Sequence, residues 1–292
     1  MASINRETEA RINDALHVIH RDISADLSGK KLAGVAAYSE QHFHRVFLKV
    51  VGENVHQYVR RTRLEHAANQ LMFDAERPVA DIADACGFTS LSSFGKAFTA
   101  LFGAAPGLWR KRDKSVQVPP YLKDPEIAEA YQRVSPQKLP LSELVELAPQ
   151  SVAYVRHQGY GRSIRFAWQT LQAWASAEGR TFKKQIGLHH SNPSWIPLND
   201  CRYVACLVID RPLEKRGVVN GMTIPGGLHA AFEFSGRYGE LLPYISKVQD
   251  QWLPESGFRA KSTPALVHYH QNHFLDAGEY FKLTYYLPIS FY

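Results

Sequence analysis

The feature that most constrains this chain is a small unit written twice between Leu32 and Gly103. The first copy reads LAGVAAYSEQHFHRVFLKVVG, Leu32 to Gly52, and the second IADACGFTSLSSFGKAFTALFG, Ile82 to Gly103. At an offset of 50, Leu32, Ala33, Ala37, Tyr38 and Ser39 fall on Ile82, Ala83, Gly87, Phe88 and Thr89. After one extra residue the offset is 51, and Phe43, Arg45, Phe47, Val51 and Gly52 fall on Phe94, Lys96, Phe98, Phe102 and Gly103. Each copy holds two short apolar-periodic segments joined by a tight turn, the layout of a helix-turn-helix. The N-terminal part is therefore expected to be all-α, with one such motif over about 28–52 and another over about 78–103.

Local signals fill in the rest of this part. Ile12, Ala15, Leu16, Ile19 and Ile23 recur at helical spacing, which predicts an amphipathic helix from Asn5 to about Ile23. Ser28 and Ser39 stand where an N-cap hydroxyl can accept from unpaired backbone N–H groups. Residues 55–72 read as one helix joining the two motifs. Its core, Val55 to Leu71, is roughly 26 Å long at 1.5 Å per residue. Successive major-groove faces lie about 34 Å apart on one side of B-DNA. One chain could thus supply both heads that other helix-turn-helix proteins obtain by dimerising.

In the second helix of the first motif, Phe43, Val46, Phe47 and Val50 form an apolar stripe. Gln41, His42, His44, Arg45 and Lys49 fall largely outside it. Arg can donate twice to guanine and Gln twice to adenine, and His and Lys reach bases or phosphates. Arg60, Arg61 and Arg63 on the joining helix are phosphate-contact candidates. The second reading helix, Ser90 to Leu101, is expected to bury Phe94, Phe98 and Leu101 and to offer Ser92, Ser93, Gly95 and Lys96. A glycine brings no side chain to a base, so this head should hold position on the backbone more than read sequence. A short helix around Pro106 ends in the basic exit RKRDK, a phosphate clamp or a solvated end.

Residues 5–112 resemble the DNA-binding domain of AraC/XylS-type transcription regulators. The resemblance is carried by FHRVF, by VHQYVRRTRLEHAANQL, and by RPVADIADACGFTSLSSFGKAF. An N-terminal position for this domain is similar to the Rob-type members of that family. By position, the resemblance implies DNA contacts from Gln41, His44 and Arg45 in the first head and from Ser92, Ser93 and Lys96 in the second. It also implies double-stranded DNA and RNA polymerase as partners.

The remainder changes character. Residues 113–138, with Pro119, Pro120, Pro125 and Pro136, read as a linker holding one short helix from Asp124-Pro125 to about Arg133. Residues 139–292 repeat themselves at an offset of 78. Ala153, Tyr154, Tyr160, Gly161, Phe166, Trp174 and Gly179 fall on Ala231, Phe232, Tyr238, Gly239, Tyr244, Trp252 and Gly257. Each copy, over about 142–209 and 227–291, reads strand-helix-strand-strand. The fold class expected is α+β, one antiparallel sheet backed by two helices. Tyr154, Trp195, Tyr203, Phe232, Phe234 and Tyr286 make this half rich in aromatics for a small-molecule cleft, although each taken singly could be core.

This half resembles the GyrI-like small-molecule-binding domain, through IPGGLHAAFEFSGRYGEL, WLPESGF and YYLPI. The resemblance implies a small-molecule effector in a cleft between the two repeats. Thr284 stands where multidrug-sensing members carry a buried glutamate, which leaves neutral or anionic apolar ligands as candidates beside cationic ones. Glu233 could restore the charge, but alternation puts it on the face opposite Phe232 and Phe234.

Composition bounds the alternatives. The formal charge is +6, and the first 115 residues carry half of it, so charge is not concentrated in the helical part. Cys86, Cys201 and Cys206 form no CxxC pair, which suits unpaired thiols in a reducing compartment. No signal-peptide core and no run of about 18 apolar residues is present, so a cytoplasmic protein without a membrane partner is expected. Neither a metal nor a cofactor is expected. An enzyme would need an acid–base or nucleophilic pair. His157, Glu233, His268, His270 and Glu279 could contribute, but GxSxG, HExxH and P-loop motifs are absent, so a non-enzyme is expected. A protein-interaction role for the C-terminal half is a third class.

Overall fold

The computed structural model describes residues 6–74, 76–112, 119–211, 213, 217–261 and 263–291. The chain divides into two compact units, Met1–Arg112 with Lys215–Asn220, and Asp113–Glu214 with Gly221–Tyr292. Asn5, and Asp113 and Lys114 of the basic exit, lie outside the described residues. Among the described residues, no helix is long and apolar enough to cross a membrane.

The first unit is all-α: α1 (Arg6–Arg21), α2 (Gly29–Val35), α3 (Glu40–Val51), α4 (Val55–Phe73), α5 (Val79–Ala85), α6 (Leu91–Phe102) and α7 (Pro106–Arg110). Three of these helices, α2, α4 and α6, start where a short polar side chain meets backbone N–H groups. Ser28 accepts from Lys31 N, Asn54 from His56 N and Gln57 N, and Ser90 from Ser93 N. Ser39 occupies the N-cap of α3 but makes no side-chain cap bond, contrary to expectation. Both reading helices end on a left-handed glycine, Gly52 at φ 84° and Gly103 at φ 73°, a conformation costly for residues with a Cβ.

The apolar stripes decide the packing. Phe43 and Phe47 of α3 join Ile12, Ile19, Leu32 and Tyr58 in one core. In the second head Phe94 and Phe98 are fully buried, and Phe98 meets Trp109 edge-on at 5.7 Å. Leu101 does not join them: it is 43% exposed, since α6 turns that position outward and half-buried Phe102 packs on Trp109 instead.

The second unit holds α8 (Pro125–Val134), β1 (Glu143–Leu147), β2 (Gln150–Gln158), α9 (Ile164–Ala177), β3 (Gln185–His189), β4 (Arg202–Val208), β5 (Asn220–Ile224), β6 (Gly227–Arg237), α10 (Leu241–Lys247), β7 (Phe258–Ala260), β8 (Ala265–Gln271) and β9 (Tyr280–Phe291). The two repeats are β2-α9-β3-β4 and β6-α10-β8-β9. They meet at β3–β8, giving the order β1-β6-β9-β8-β3-β4-β2-β5 with β7 paired to β9. β1 and β7 fall within the two copies as extra strands beyond the strand-helix-strand-strand reading, and β5 lies between the copies.

That order forces the sheet to curl. β1 and β2 stand six strands apart, about 29 Å in a flat sheet at 4.8 Å per strand. Yet only Ala148 and Pro149 connect them, a reach of at most about 11 Å. β5 and β6 are also six apart and joined only by Pro225 and Gly226. Both short crossings close the same end, and a Cβ on Gly226 would overlap the Leu147 carbonyl oxygen. The helices cover the outer face, where Trp168 of α9 meets Tyr203 and Tyr269 edge-on at 6.5 and 5.7 Å.

The segment expected as linker is built into this unit. Tyr121, Ile127, Ala130 and Val134 are buried. The Tyr121 hydroxyl is 2.9 Å from Ser246 Oγ. Buried Lys247 donates through Nζ to the carbonyls of Val134 (3.3 Å), Ser135 (2.9 Å) and Gln137, capping the C-terminus of α8. Arg162 binds Glu126 through both terminal nitrogens at 2.6 and 2.7 Å, pairs with Glu279, and lies over the Tyr238 ring.

Candidate nucleic-acid interface and ligand cavity

α3 presents a clean exterior. Gln41, His42, Arg45 and Lys49 are exposed. At 100° per residue Gln41, Arg45 and Lys49 lie within one quarter of the helix circumference, opposite Phe43 and Phe47. His42 flanks them, edge-on to Tyr38 at 4.8 Å. Leu48 shares this face at 49% exposure, a position read as neither core nor contact. An exposed apolar side chain beside donors of this kind has the chemistry to meet a thymine methyl. Its signal was the seven-residue spacing from Gln41.

His44 departs from expectation. It is half-buried, packed over Gly29 and against the His56 ring at 5.0 Å, with Glu40 3.9 Å away. The ring therefore lies on the flank of α3 that faces α2 and α4, away from the Arg45 side.

The joining helix splits its arginines. Arg60 is exposed. Arg61 is withdrawn from any phosphate role: it pairs with Glu53 and, at 2.8 Å, with Glu65, and stacks on the Tyr58 ring. Glu65 is 2% exposed, so Arg61 neutralises a buried carboxylate. Arg63 donates to the carbonyls of Ile23 (2.8 Å) and Ala25 (2.9 Å). At the exit, Arg110 donates to Arg77 O, and Arg112 lies over the Trp109 ring at 3.8 Å. Both fold back on the unit, which leaves exposed Lys111 as the free cation of that triplet among the described residues.

On α6, Ser92, Ser93 and Lys96 are exposed, but Ser93 Oγ donates to Ser90 O at 2.8 Å and so closes the first turn. Gly95 faces open space, and Thr99 stands exposed beside Ser92 and Lys96. The second head thus offers small side chains around a bare patch of helix.

In the second unit the aromatic set divides by face. Tyr203, Phe232 and Phe234 lie on the outer face of the sheet, not in the cavity inside its curl. Tyr203 lies under Trp168, Phe232 meets Trp252 edge-on at 5.2 Å, and Phe234 stacks on Tyr244 at 4.6 Å. Strand alternation places them beneath the helices. Trp195 is half-buried in the loop between β3 and β4.

Tyr154, Thr284 and Tyr286 belong to the inner face. One row across the sheet runs Tyr154, Cys206, Ile186, His268, Thr284, Glu233. The next runs Val204, Leu188, Leu266, Tyr286, Ala231, Glu143. Much of this face is a buried apolar cluster with Ile224 and Val152. Inside the curl lies a cavity of about 440 Å³, within the size range of ligand sites, whose lining includes Leu147, Ile186, Val208, Leu266, His268 and Tyr286. Of the aromatics singled out, Tyr286 lines it and Tyr154 lies on the same face. The remaining lining residues were not distinguishable in sequence because their strand pairing was unknown.

Glu233 sits directly across from Thr284, on the face opposite Phe232 and Phe234 that alternation required. The Thr284 hydroxyl donates to its carboxylate, and His270 Nε2 is 2.9 Å from Thr284 Oγ1. A carboxylate can only accept, so the imidazole donates to the hydroxyl and the hydroxyl to the acid. The charge absent at position 284 is therefore present across the strand pair, already hydrogen-bonded and 63% exposed. A second, 40 Å³ space between the repeats, lined by Tyr160, His189, Tyr238 and His273, has room for little more than water.

Comparison with known proteins agrees with both halves. Residues 32–112 match a helix-turn-helix domain family, and residues 142–290 match the GyrI-like small molecule binding domain. The probable transcriptional regulator LumQ of Photobacterium leiognathi is 36% identical over 98 residues, 33% of this chain and 39% of LumQ. The HTH-type transcriptional activator AarP of Providencia stuartii is 36% identical over 102 residues, 35% of this chain and 75% of AarP. The transcriptional regulator Rob of Salmonella typhimurium is 35% identical over 100 residues, 34% of each chain. The chain thus spans well under half the length of LumQ and Rob. By its helix-turn-helix domain and the GyrI-like domain that follows, this chain belongs to the AraC-type regulators that carry a GyrI-like small molecule binding domain.

Proposed function

We propose that this protein is a sequence-specific, DNA-binding transcription regulator whose C-terminal unit binds a small, partly apolar effector. The observation that carries the DNA reading is the exposed stripe of Gln41, Arg45 and Lys49 on α3, opposite a helix face locked by Phe43 and Phe47. Side chains that donate to base edges, held on a rigid helix, are what major-groove readout requires. α4, with 19 residues, is about 28 Å long and supports a spacing of one groove repeat between α3 and α6. The effector reading is supported by the cavity inside the curled sheet. Regulation would follow where effector affinity differs between DNA-bound and free states. Contact with RNA polymerase, a cytoplasmic location and the lack of an enzymatic role belong to the same proposal.

The test is selection of bound DNA from a random pool by the full chain, followed by footprinting. A monomer should protect about two adjacent major-groove segments, roughly 20 base pairs. Protection of a single groove, or binding only as a dimer with one head each, would overturn the two-headed reading.

A further inference from the structure

The cavity inside the curled sheet is chemically one-sided. Its wall is apolar at Leu147, Ile186, Val208, Leu266 and the Tyr286 ring, while Lys184 and His268 bring the ionisable nitrogen. Among the described residues no carboxylate lines it. Strand parity is the reason. Lys184 lies two residues before Ile186, and His268 pairs with Ile186 in register, so both reach the inner side.

The two acids of this face stand elsewhere. Glu143 pairs with Ala231, beyond Tyr286, and Glu233 is engaged by Thr284 with His270 3.9 Å away. His268 meets His270 on its own strand at 5.0 Å, Lys184 from the β3 side, and Glu233 and Tyr286 from β6 and β9. Burial lowers the His268 pKa; His270 and Lys184 add to this and Glu233 opposes it.

We propose that this cavity takes a small apolar monoanion, an aromatic or short aliphatic carboxylate, with its charge beside Lys184 and His268 and its hydrocarbon body against Ile186, Leu266 and Tyr286. The proposal rests on the effector-binding reading above and names its ligand class. The ammonium supplies a charge-assisted hydrogen bond at the mouth, and the apolar wall supplies burial. An anion beside His268 favours the protonated imidazole, so binding draws in a proton.

Calorimetry on the full chain with naphthoate, naphthamide and naphthylmethylammonium separates the charge types on one ring system. Naphthoate should bind at least about tenfold tighter than the other two, the worth of one charge-assisted hydrogen bond. Lys184→Met should erase that preference while leaving naphthamide binding unchanged. Titrations near pH 6.5, about the ordinary histidine pKa, in buffers of different ionisation enthalpy should show proton uptake with naphthoate alone. A cation that binds as tightly, or a preference that survives Lys184→Met, overturns the anion proposal. Val208→Trp, or Leu266→Phe as a milder intrusion, should block all three probes. If the probes bind equally and both variants block them, the anion proposal fails and the cavity reading stands. If neither variant affects binding, or no probe binds, both fail.

Discussion

The guanidinium of Arg63 lies against Gly87, so close that a Cβ on Gly87 would sit 2.7 Å from Arg63 Cζ. Arg63 is on the joining helix, Gly87 in the turn of the second head, and the carbonyls Arg63 donates to, Ile23 and Ala25, lead into the first head. One side chain therefore touches all three parts of the DNA-binding unit. Gly87 adopts φ 77°, which alone disfavours a side chain.

Gly87→Ala should accordingly cost more than its backbone. The left-handed conformation contributes about 1 kcal/mol. Displacing the guanidinium from two carbonyls adds roughly another 1–2 kcal/mol. In an Arg63→Ala background only the backbone part should remain, a coupling of about 1 kcal/mol or more. Native-state hydrogen exchange on residues 55–103 reads this without assuming that the whole chain unfolds as one. Additive losses would show that the contact holds nothing in place.

Arg45 and Arg61 should fail in opposite ways. Arg45→Ala removes an exposed donor and should leave thermal stability unchanged, while weakening specific DNA by about 1–3 kcal/mol and non-specific DNA far less. Arg61→Ala strands Glu65 in the core and should cost about 3–5 kcal/mol of stability in the first unit. Melting curves and binding to matched and scrambled DNA separate the two. An Arg61→Ala protein with unchanged melting and lost DNA affinity would return Arg61 to the interface.

Sequence alone could not have told these arginines apart. Arg60, Arg61 and Arg63 share one helix, and the partner that removes Arg61, Glu53, lies eight residues back across the start of α4. The duplicated heads were legible because stripe, cap and terminal glycine are local signals that agree with one another. In the sheet, alternation within a strand was equally legible and put Glu233 opposite Phe232. What alternation cannot say is which face encloses a cavity. That depends on the two-residue crossings at Ala148-Pro149 and Pro225-Gly226, whose meaning appears only once the strand order is known. Tyr203 and Tyr286 read alike as aromatic strand residues and end on opposite faces for that reason. The segment before β1 read as linker because its prolines were plain, whereas its anchors, Ser246 and Lys247, lie more than a hundred residues away.

Gly95 offers a gain-of-function test of the unequal heads. A methyl at this position would meet nothing within 4 Å, so Gly95→Ala should stabilise α6 by up to about 1 kcal/mol. It should leave the sequence preference of the first head intact. Gly95→Gln adds an amide beside Ser92 and Lys96 and should create a base preference in the second groove segment, visible on repeating the DNA selection. An unchanged preference would place this helix away from the base edges.

The paired histidines between the repeats make the second unit sensitive to acid. Burial pushes the His189 imidazole from 6.5 down to about 4 and that of His273 down to about 3. His273 is 5% exposed, and the Nε2 of His189 is enclosed although the residue as a whole is half-buried. Above the ordinary value both states are neutral, and the stability of the fold is fully present. Between 6.5 and about 4 each of these two histidines binds a proton in the unfolded chain that it refuses in the folded one, so stability falls as pH falls. The slope is about 1.4 kcal/mol per pH unit for each histidine. The joint contribution of these two should halve below about 4, where His189 charges in the folded state, and the His273 contribution should level off near 3. His273→Phe, set among Phe274, Phe281 and Tyr269, keeps a ring and removes one titration. Its melting temperature should fall less steeply between pH 6.5 and 4.5 than that of the parent, by the share of one histidine. His157, His229 and His268, lowered in the same direction by burial, keep part of the slope in both proteins. Equal slopes would mean that the cluster opens to water well before the fold does.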